Sequence, residues 1–526
     1  MDTERWRPPA SPEFATVALR FAAMLRAQGA NDALVAAAWL AADAEQRGDI
    51  GIDLSDVIED DVRIDGLALL VPVAACLDAV PPDHPLLARD LSTRLYLRRQ
   101  WAQEIRVATA LDARLQAPPR FVSGSAAQTV ADASTQVQER AAADALRASL
   151  FVLGGGPGTG KTRSIALIRD GFLKLAPNRP VLLAAPTGKA AQRLRESLEA
   201  HHVAMGSVTE APRTGTVHRL LKDRDVLTDA AAVIIDEASM LDLGLLDRLL
   251  AALTPETALV LVGDPAQLAS VEAGRVLGDL FEALSLRDPD SRNHCLLRHN
   301  FRADRALFPL AEAARAGDHD AFAAALDEAP DHVAFYPCHN PAELHDHLSR
   351  QVDAARADGK TLNAGVAFLC AHRAGSFGVT GVNAFLEAYW PHGAGPNRPV
   401  PILLEASVPE LDLWNGDLGE LIVQDGIRGF RRGTLFVPEA LLPRFAPGYA
   451  LTVHRAQGSE FASIVLVLPD RASAVLSREL LYTAITRARQ RVVILGAPAS
   501  LETALARPLA RSSGLGQRLG SSGPSW

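Results

Sequence analysis

The sequence predicts an α/β protein with two units built on parallel sheets, a small all-β insertion in the second unit and a helical domain at the N-terminus. From about residue 136, short apolar runs such as LFVLGG and VLLAAP alternate with helical segments, which is typical of a parallel sheet with helices on both faces. A similar series starts near residue 365, and strand-like runs without helices (VPILLEA, GELIVQ, GTLFVP) interrupt it. Upstream, FATVALRFAAMLRAQG and DALVAAAWLAADAEQRG carry apolar residues at helical spacing.

Shifts in composition place the boundaries between these units. The stretch around Pro118, Pro119 and Gly124 is rich in Ser and Ala and is typical of a linker. The final run, RSSGLGQRLGSSGPSW, predicts disorder. We therefore expect a helical domain at 1–112, a linker at 113–135, a first α/β unit at 136–345, a second at 346–510 with a small β-barrel at about 390–446, and a disordered tail at 511–526.

Composition limits the class of protein. At ~100–200 residues per domain, 526 residues allow three or four domains. The net charge of −9 does not exclude nucleic acid, because phosphate binding needs only a local groove of Lys and Arg, and it also fits a subunit that buries much of its surface on other proteins. The four cysteines form no CxxC pair, so neither a disulfide framework nor zinc is expected. Without a bilayer-length apolar stretch or a signal peptide, we expect a cytoplasmic protein that does not contact a membrane.

A glycine-rich segment between a predicted strand and a predicted helix carries the strongest functional signal. GGPGTGKT matches the GxxxxGK[ST] pattern of phosphate-binding loops in the context that the pattern needs. Backbone N–H groups of such a loop point at phosphate oxygens, and the helix N-terminus adds partial positive charge. Lys161 is expected to reach the β- and γ-phosphates of ATP, and Thr162 to ligate Mg²⁺. The nucleotide-binding residues predicted from this loop are Gly155, Gly156, Pro157, Gly158, Thr159, Gly160, Lys161 and Thr162.

Polar residues after two further strands predict hydrolysis. Asp236 and Glu237 end the apolar run AVIIDE, and we expect them one sheet position from the loop, where Mg²⁺ sits. Asp236 would hold the metal, and Glu237 would orient and deprotonate the attacking water. Gln267 follows the strand LVLVGD, where its amide is placed to sense the γ-phosphate. Arg302 and Arg487 are either surface arginines or groups that stabilise transition-state charge, and their own surroundings leave both possibilities open.

The order of motifs along the chain resembles that of superfamily 1 helicases. The phosphate loop is followed by APTGKAA, TVHRLL, DEAS, GDPAQL, NFR, TVHRAQGSEF and YTAITRA. LYLRRQW, GDPAQLASVEAG, WNGDLG and LLYTAITRAR narrow the resemblance to the RecD family, the alpha subunits of exodeoxyribonuclease V (RecBCD). The likeness extends from about Leu95 to Leu495. It implies that both α/β units are RecA-like motor domains and that the β insertion is SH3-like.

The resemblance also implies roles for single residues. Gln138 stands where the family reads adenine, and Gln267 would couple nucleotide state to DNA. Arg302 and Arg487, both from the second motor domain, would act as arginine fingers on the γ-phosphate. Contacts to DNA are implied for Thr187, Lys189, Thr216, His218, His454 and Gln457. Two of these have ordinary alternatives, because Lys189 could be a solvated helix residue and His218 a buried structural histidine.

As a whole, the resemblance implies an ATP- and Mg²⁺-dependent helicase that moves 5′→3′ on single-stranded DNA and acts on double-strand DNA ends. It implies a heterotrimer with RecB-like and RecC-like subunits, in which the N-terminal domain docks on the RecC-like partner. Between TVHRLL and VIIDEAS stands only KDRDVLTDAAA, where relatives often place a longer wedge-bearing insertion, so a partner is expected to split the duplex. No nuclease constellation is evident. Two competing hypotheses are a stand-alone RecD-like helicase and a scaffold subunit with an inactive ATP site.

Overall fold

The N-terminal domain combines helices with short strands. The computed structural model describes residues 12–57, 61–90, 92–118, 133–205, 213–270, 272–287, 292–300, 307–357, 365–389, 399–509 and 511–520. The helices of this domain are α1 (Pro12–Ala27), α2 (Asp32–Gln46), α3 (Val73–Asp78) and α4 (Arg98–Gln116). Its strands are β1 (Gly51–Asp53), β2 (Asp61–Ile64), β3 (Leu69–Pro72), β4 (Leu87–Arg89) and β5 (Arg94–Leu97).

The domain predicted as helical therefore also contains five short strands that the sequence did not indicate. Strands β1, β5 and β4 form an antiparallel sheet, and β2 pairs with β3 as a separate hairpin. These strands have only three or four residues each, which is too short for an alternating pattern to identify them. Helix α4 packs along the first α/β domain, so the boundary predicted at residue 112 cuts through that contact. The linker predicted at 113–135 overlaps the end of α4 and falls mostly on 119–132, outside the described residues.

A six-stranded parallel sheet forms the first α/β domain, in the order β11-β6-β10-β9-β7-β8. Its strands are β6 (Leu150–Gly155), β7 (Val181–Ala185), β8 (Arg213–Thr216), β9 (Ala232–Ile235), β10 (Ala258–Gly263) and β11 (His294–Leu297). Its helices are α5 (Ala133–Arg147), α6 (Lys161–Leu175), α7 (Gly188–Met205), α8 (Val217–Leu220), α9 (Arg224–Asp229), α10 (Leu243–Ala252) and α11 (Val276–Arg287). Strands β6, β7, β9 and β10 are buried along their whole length, because helices cover both faces of the sheet.

The second α/β domain has a five-stranded parallel sheet in the order β12-β21-β20-β13-β19. Its strands are β12 (Val333–Pro337), β13 (Val366–Cys370), β19 (Ala450–Thr452), β20 (Phe461–Val467) and β21 (Ala488–Gly496). Its helices are α12 (Leu307–Ala316), α13 (His319–Glu328), α14 (Pro341–Ala357), α15 (Val379–Tyr389), α16 (Arg478–Ile485) and α17 (Pro498–Ala506). Because β12 pairs with β21 and α12 packs on α16, the boundary predicted at residue 345 is wrong. The change of domain falls between β11 and α12.

Five antiparallel strands interrupt the second domain between α15 and β19. They are β14 (Val400–Leu404), β15 (Leu418–Gln424), β16 (Ile427–Arg432), β17 (Leu435–Pro438) and β18 (Phe445–Pro447), in the order β17-β16-β15-β14-β18. Their position agrees with the predicted β insertion, and the predicted α/β class with two parallel sheets is confirmed. The SH3-like assignment of the insertion stays a prediction. None of the helices in the described ranges combines the length and the apolarity needed to cross a bilayer.

The C-terminal segment is folded as far as residue 520, so the disorder predicted from residue 511 is wrong for that part. Helix α18 (Leu515–Gly520) packs on α4 and α11. Leu515 and Leu519 are buried there, and Arg518 forms a 2.8 Å ion pair with the buried Glu104. The low-complexity composition conceals this helix, because only two leucines four residues apart carry its apolar contact.

Candidate active site

The phosphate-binding loop joins β6 to α6 and has the backbone that its glycines allow. Gly158 and Gly160 have φ of +78° and +88°. Residues with a Cβ rarely adopt such positive φ values, whereas glycine does so readily. The Thr159 hydroxyl donates to the Gly156 carbonyl at 2.8 Å, which closes the loop on itself. Gln138 on α5 donates from Nε2 to the Thr159 carbonyl at 3.1 Å. Its Oε1 is buried without a partner among the described residues, so this side chain offers one free acceptor beside the loop.

Lys161 is the first residue of α6, and its side chain bends back over the loop. The Nζ atom donates to the carbonyls of Gly155 at 2.6 Å and Gly156 at 3.0 Å. An ammonium group held by neutral carbonyls gains more from a charged phosphate oxygen, so these contacts are ones that a polyphosphate would replace. Thr162 follows on the same turn and is half-buried.

The acidic pair follows β9, which lies two sheet positions from the loop strand rather than one. Strand β10 stands between them, so the expectation of a neighbouring strand is wrong. Burial and the adjacent Glu237 raise the pKa of Asp236 to about 7, although Lys161 opposes the shift. Glu237 has φ of +52°, an unfavourable conformation for a residue with a side chain, and such strain is concentrated at functional sites. Its backbone N–H donates to Asp236 Oδ1 at 2.9 Å.

Asp264, at the end of β10, organises the loop that contains Gln267. Its Oδ2 accepts from Gln267 Nε2 at 3.1 Å and from the Tyr482 hydroxyl at 2.9 Å. Its Oδ1 accepts from the Ala266 N–H at 3.0 Å. Burial raises the pKa of Tyr482 well above its ordinary value, so the phenol stays a donor. The sequence motifs contained Asp264 and Tyr482 but singled out neither, because only their meeting across the two domains reveals a role.

The two predicted arginine fingers have different outcomes. Arg302 lies outside the described residues. Arg487 is buried directly after α16, and its guanidinium donates to the carbonyls of Thr483 at 3.2 Å and Ser459 at 3.3 Å. In this conformation Arg487 is therefore held by its own domain, and its action on phosphate stays a prediction.

A cleft of 740 Å³ lies between the two α/β domains and has the phosphate loop on one wall. The other wall is formed by α12, α16 and the start of β21. Three arginines that the sequence did not single out line it: Arg298, Arg315 and Arg489. Arg315 is paired with Glu312 at 2.7 Å and Arg489 with Glu460 at 2.8 Å. Arg298 follows β11 of the first domain, and the two arginines of the second domain are each paired with a glutamate that also lines the cleft.

The predicted DNA contacts in the first domain lie at the carboxyl ends of adjacent strands. Thr187, after β7, caps α7 by accepting from the Ala190 N–H at 3.2 Å. Thr216, at the end of β8, caps α8 by accepting from the Arg219 N–H at 3.1 Å. His218 is exposed on α8, so the alternative of a buried structural histidine is wrong.

Lys189 is half-buried against the β insertion. Its Nζ donates to the Gly416 carbonyl at 3.3 Å, and burial lowers its pKa to about 8, with a smaller contribution from Arg193. The alternative of a solvated helix residue is therefore wrong. The ring of Trp414 packs against Gly188 so closely that a Cβ there would overlap it. A role of Lys189 in DNA binding stays a prediction. A DNA strand bound there would share the site with the loop of the β insertion that contains Trp414 and Gly416.

The predicted DNA contacts in the second domain are also largely enclosed. Gln457 is buried and donates from Nε2 to the Leu268 carbonyl of the first domain at 2.8 Å. Burial lowers the pKa of His454, and nearby Arg511 lowers it further. Both residues face the junction of the domains, and their contact with DNA stays a prediction.

The fold and the site together define a two-domain P-loop ATPase of the superfamily 1 helicase class. Residues 133–334 match the family model described as AAA domain, and residues 447–495 match the UvrD-like helicase C-terminal domain.

Among curated proteins, the chain is 36% identical to the RecBCD enzyme subunit RecD of Mycobacterium tuberculosis over 84% of this chain and 83% of that protein. It is 35% identical to the RecBCD enzyme subunit RecD of Mycolicibacterium smegmatis over 91% and 92%. It is 31% identical to the ATP-dependent RecD2 DNA helicase of Deinococcus radiodurans over 83% and 61%. A solved Bacteroides Pif1 structure bound to ssDNA has 16% identity and a TM-score of 0.42 over 70% of this chain and 92% of that one, a likeness too weak to support an argument. The chain belongs to the RecD family, and it is an ATP-hydrolysing helicase.

Proposed function

We propose that this chain is the 5′→3′ DNA motor of a RecBCD-type helicase–nuclease, which acts in the cytoplasm on double-strand DNA ends during recombinational repair. The supporting observation is the cleft between the two domains, with the phosphate loop on one wall and α16 on the other. Loss of the γ-phosphate removes charge from such a cleft and lets the domains separate, so each cycle opens and closes it. A cleft that opens and closes on a single strand moves along that strand.

Mg²⁺ fits between Thr162 and Asp236. A hydroxyl and a carboxylate are ligands that Mg²⁺ prefers, and burial together with the adjacent Glu237 raises the pKa of Asp236 to about 7, a shift that a bound cation would oppose. When bound, the cation neutralises charge on the phosphates. Lys161 exchanges its loop carbonyls for phosphate oxygens, and Glu237 orients the attacking water and accepts its proton.

Two arginines stabilise the charge that develops on the transferred phosphoryl group in this proposal. Arg487 leaves the carbonyls of Thr483 and Ser459 and turns to the γ-phosphate. Arg302 acts beside it, and Gln267 reports the state of the γ-phosphate to the DNA side. Gln138 reads adenine with the acceptor that is free beside the loop.

Single-stranded DNA would cross the carboxyl ends of both sheets. Thr187, Thr216 and His218 lie along that edge in the first domain and supply backbone and side-chain donors to phosphate oxygens, with little base readout. Lys189, His454 and Gln457 would complete the path on either side of the domain junction. The predicted wedge position holds only the short helix α9, so separation of the strands falls to a partner.

The N-terminal domain is the surface proposed to dock on a RecC-like subunit, with a RecB-like subunit completing the heterotrimer and the nuclease carried by a partner. Val17, Met24 and Leu70 are exposed apolar residues on this domain. Their replacement by Glu would place charge in a desolvated interface, which costs several kcal/mol. We expect Met24→Glu combined with Leu70→Glu to abolish co-purification with the RecC-like subunit, whereas Leu441→Glu, on the exposed surface of the β insertion, has no effect.

Unwinding assays on tailed duplexes test the direction of movement. The chain co-expressed with its RecB-like and RecC-like partners is assayed after the RecB-like ATPase has been inactivated, so that this chain is the only motor. We expect unwinding from a 5′ single-stranded tail and none from a 3′ tail. Preference for the 3′ tail would overturn the proposed direction, and full unwinding by the chain without partners would favour the stand-alone hypothesis.

A further inference from the structure

Three buried hydrogen bonds join the loop 264–268 of the first motor domain to the second motor domain. The Tyr482 hydroxyl donates to Asp264 Oδ2 at 2.9 Å. The Leu268 N–H donates to Thr483 Oγ1 at 2.8 Å. The Gln457 amide donates to the Leu268 carbonyl at 2.8 Å. All these groups are withdrawn from water, so leaving one without a partner costs more than the net gain of making it.

Thr483 connects this loop to Arg487. Its hydroxyl accepts from Leu268, and its carbonyl accepts from Arg487 Nε one helical turn further on, at 3.2 Å. The backbone position from which the Arg487 side chain extends therefore follows the position of Thr483, which the first domain holds through its own backbone.

Tyr482 sets the distance between α16 and the phosphate loop. Its hydroxyl lies so near Gly156 that an added Cβ would stand 3.0 Å from it. The same hydroxyl is held by Asp264, which also binds Gln267. The loop that carries the predicted γ-phosphate sensor thus also holds the helix that precedes the predicted arginine finger.

We propose that Tyr482 and Thr483 are positioning residues, which register α16 on the loop 264–268 so that Arg487 reaches the γ-phosphate when the cleft closes. This inference rests on the proposed function, because it requires Arg487 to act on phosphate. Neither hydroxyl acts on the nucleotide itself. Both act through the placement of Arg487, so their loss slows the chemical step and leaves ATP affinity nearly intact.

A purely structural role would give a different result. If the three hydrogen bonds only held the domains together, their loss would loosen the whole cleft and weaken ATP binding as well as turnover. The separation of kcat from KM therefore distinguishes the two roles.

The test uses hydroxyl variants in single-stranded-DNA-stimulated ATPase assays on the full chain in its complex. Thr483→Val keeps the shape of the side chain but removes the acceptor, and we expect kcat to fall about tenfold with KM for ATP changed less than about twofold. Thr483→Ser keeps the hydroxyl and should restore kcat. Tyr482→Phe removes the hydroxyl that α16 places on Asp264 and should reproduce the loss of kcat. The fold should be preserved, because Asp264 keeps its hydrogen bonds from Ala266 and Gln267.

Tyr389→Phe is the matched control. Its hydroxyl also donates to an aspartate, Asp353, at 2.9 Å, but on the exposed surface of the second domain, so its kinetics should equal those of the wild type. Unchanged kcat in both Thr483→Val and Tyr482→Phe, or a rise in KM that matches the fall in kcat, would overturn the inference. If Lys161→Gln is inactive while these variants are normal, only the positioning role fails; if Lys161→Gln is active, the proposed function itself fails.

Discussion

Leu515→Ala tests whether the C-terminal helix is an integral part of the fold. Leu515 is fully buried between α18, α4 and α11, and truncating such a leucine costs about 3 kcal/mol through lost burial and the cavity left behind. A six-residue helix is not stable by itself. We therefore expect α18 to detach in this variant, so that the loss of stability cannot exceed the free energy of detachment. Detachment leaves Glu104 without its partner Arg518.

Limited trypsin digestion read by mass spectrometry measures that detachment. Arg511 and Arg518 lie in the segment and are cleavable only when it leaves the body of the protein. Leu515→Ala should lose its C-terminus many times faster than the wild type, and its apparent free energy of unfolding in urea should fall by about 3 kcal/mol. Leu286→Ala is the control, because Leu286 is 83% exposed on α11, the helix on which α18 packs. Equal digestion of Leu515→Ala and the control would refute the packed position of α18.

Two further outcomes follow from the described contacts. Arg487→Ala should lower kcat at least about 100-fold while KM for ATP changes little, because the arginine acts on transition-state charge; steady-state ATPase kinetics check this, and equal losses of binding and turnover would contradict it. Burial raises the pKa of Asp49 from 3.8 to about 6, so the folded state prefers the protonated acid, and the stability from this group is present below pH 3.8 and lost as the pH rises through 6. Asp49→Asn keeps the acceptor for the Ser512 N–H and removes the charge. It should therefore raise the thermal midpoint at pH 8 by the equivalent of at most roughly 3 kcal/mol, with a smaller gain at pH 5. Melting curves across this range that show no pH-dependent difference between the variant and the wild type would rule out a buried ionised Asp49.

Local motifs carried most of the information about the nucleotide site. The phosphate loop needs a strand, glycines and a helix within a few residues, and these stand together along the chain, so the positions of Gly158, Gly160 and Lys161 in the loop are predictable from the sequence alone. The acidic pair after β9 is predictable for the same reason. The number of strands between this pair and the loop was predicted wrongly, because β10 lies between β6 and β9. No local sequence pattern encodes the order of strands in a sheet.

Contacts between distant segments could not be predicted. Asp264 meets Tyr482 across 218 positions of sequence, and Glu104 meets Arg518 across 414. Each residue has an ordinary local context, and its importance arises only when two domains bring the pair together and exclude water. The contacts of Gly188 with Trp414 and of Lys189 with Gly416 have the same origin, since an insertion in the second domain covers a helix of the first.

The short strands of the N-terminal domain were not predicted from the sequence. The five strands of the N-terminal domain have three or four residues each, at or below the shortest run in which alternation indicates a strand. The parallel sheets of both motor domains were predictable because their central strands are continuous apolar runs.

Hydrolysis of ATP at the phosphate loop is proposed to drive this protein along DNA. Single-stranded-DNA-stimulated ATP hydrolysis by Lys161→Gln tests it most directly, with Lys174→Gln, an exposed lysine on the same helix α6, as the matched control. We predict that Lys161→Gln abolishes the stimulated activity and that Lys174→Gln retains it, because only the former removes the ammonium that binds the β- and γ-phosphates. Near-normal turnover by Lys161→Gln would contradict the assignment of this chain as an ATP-driven motor.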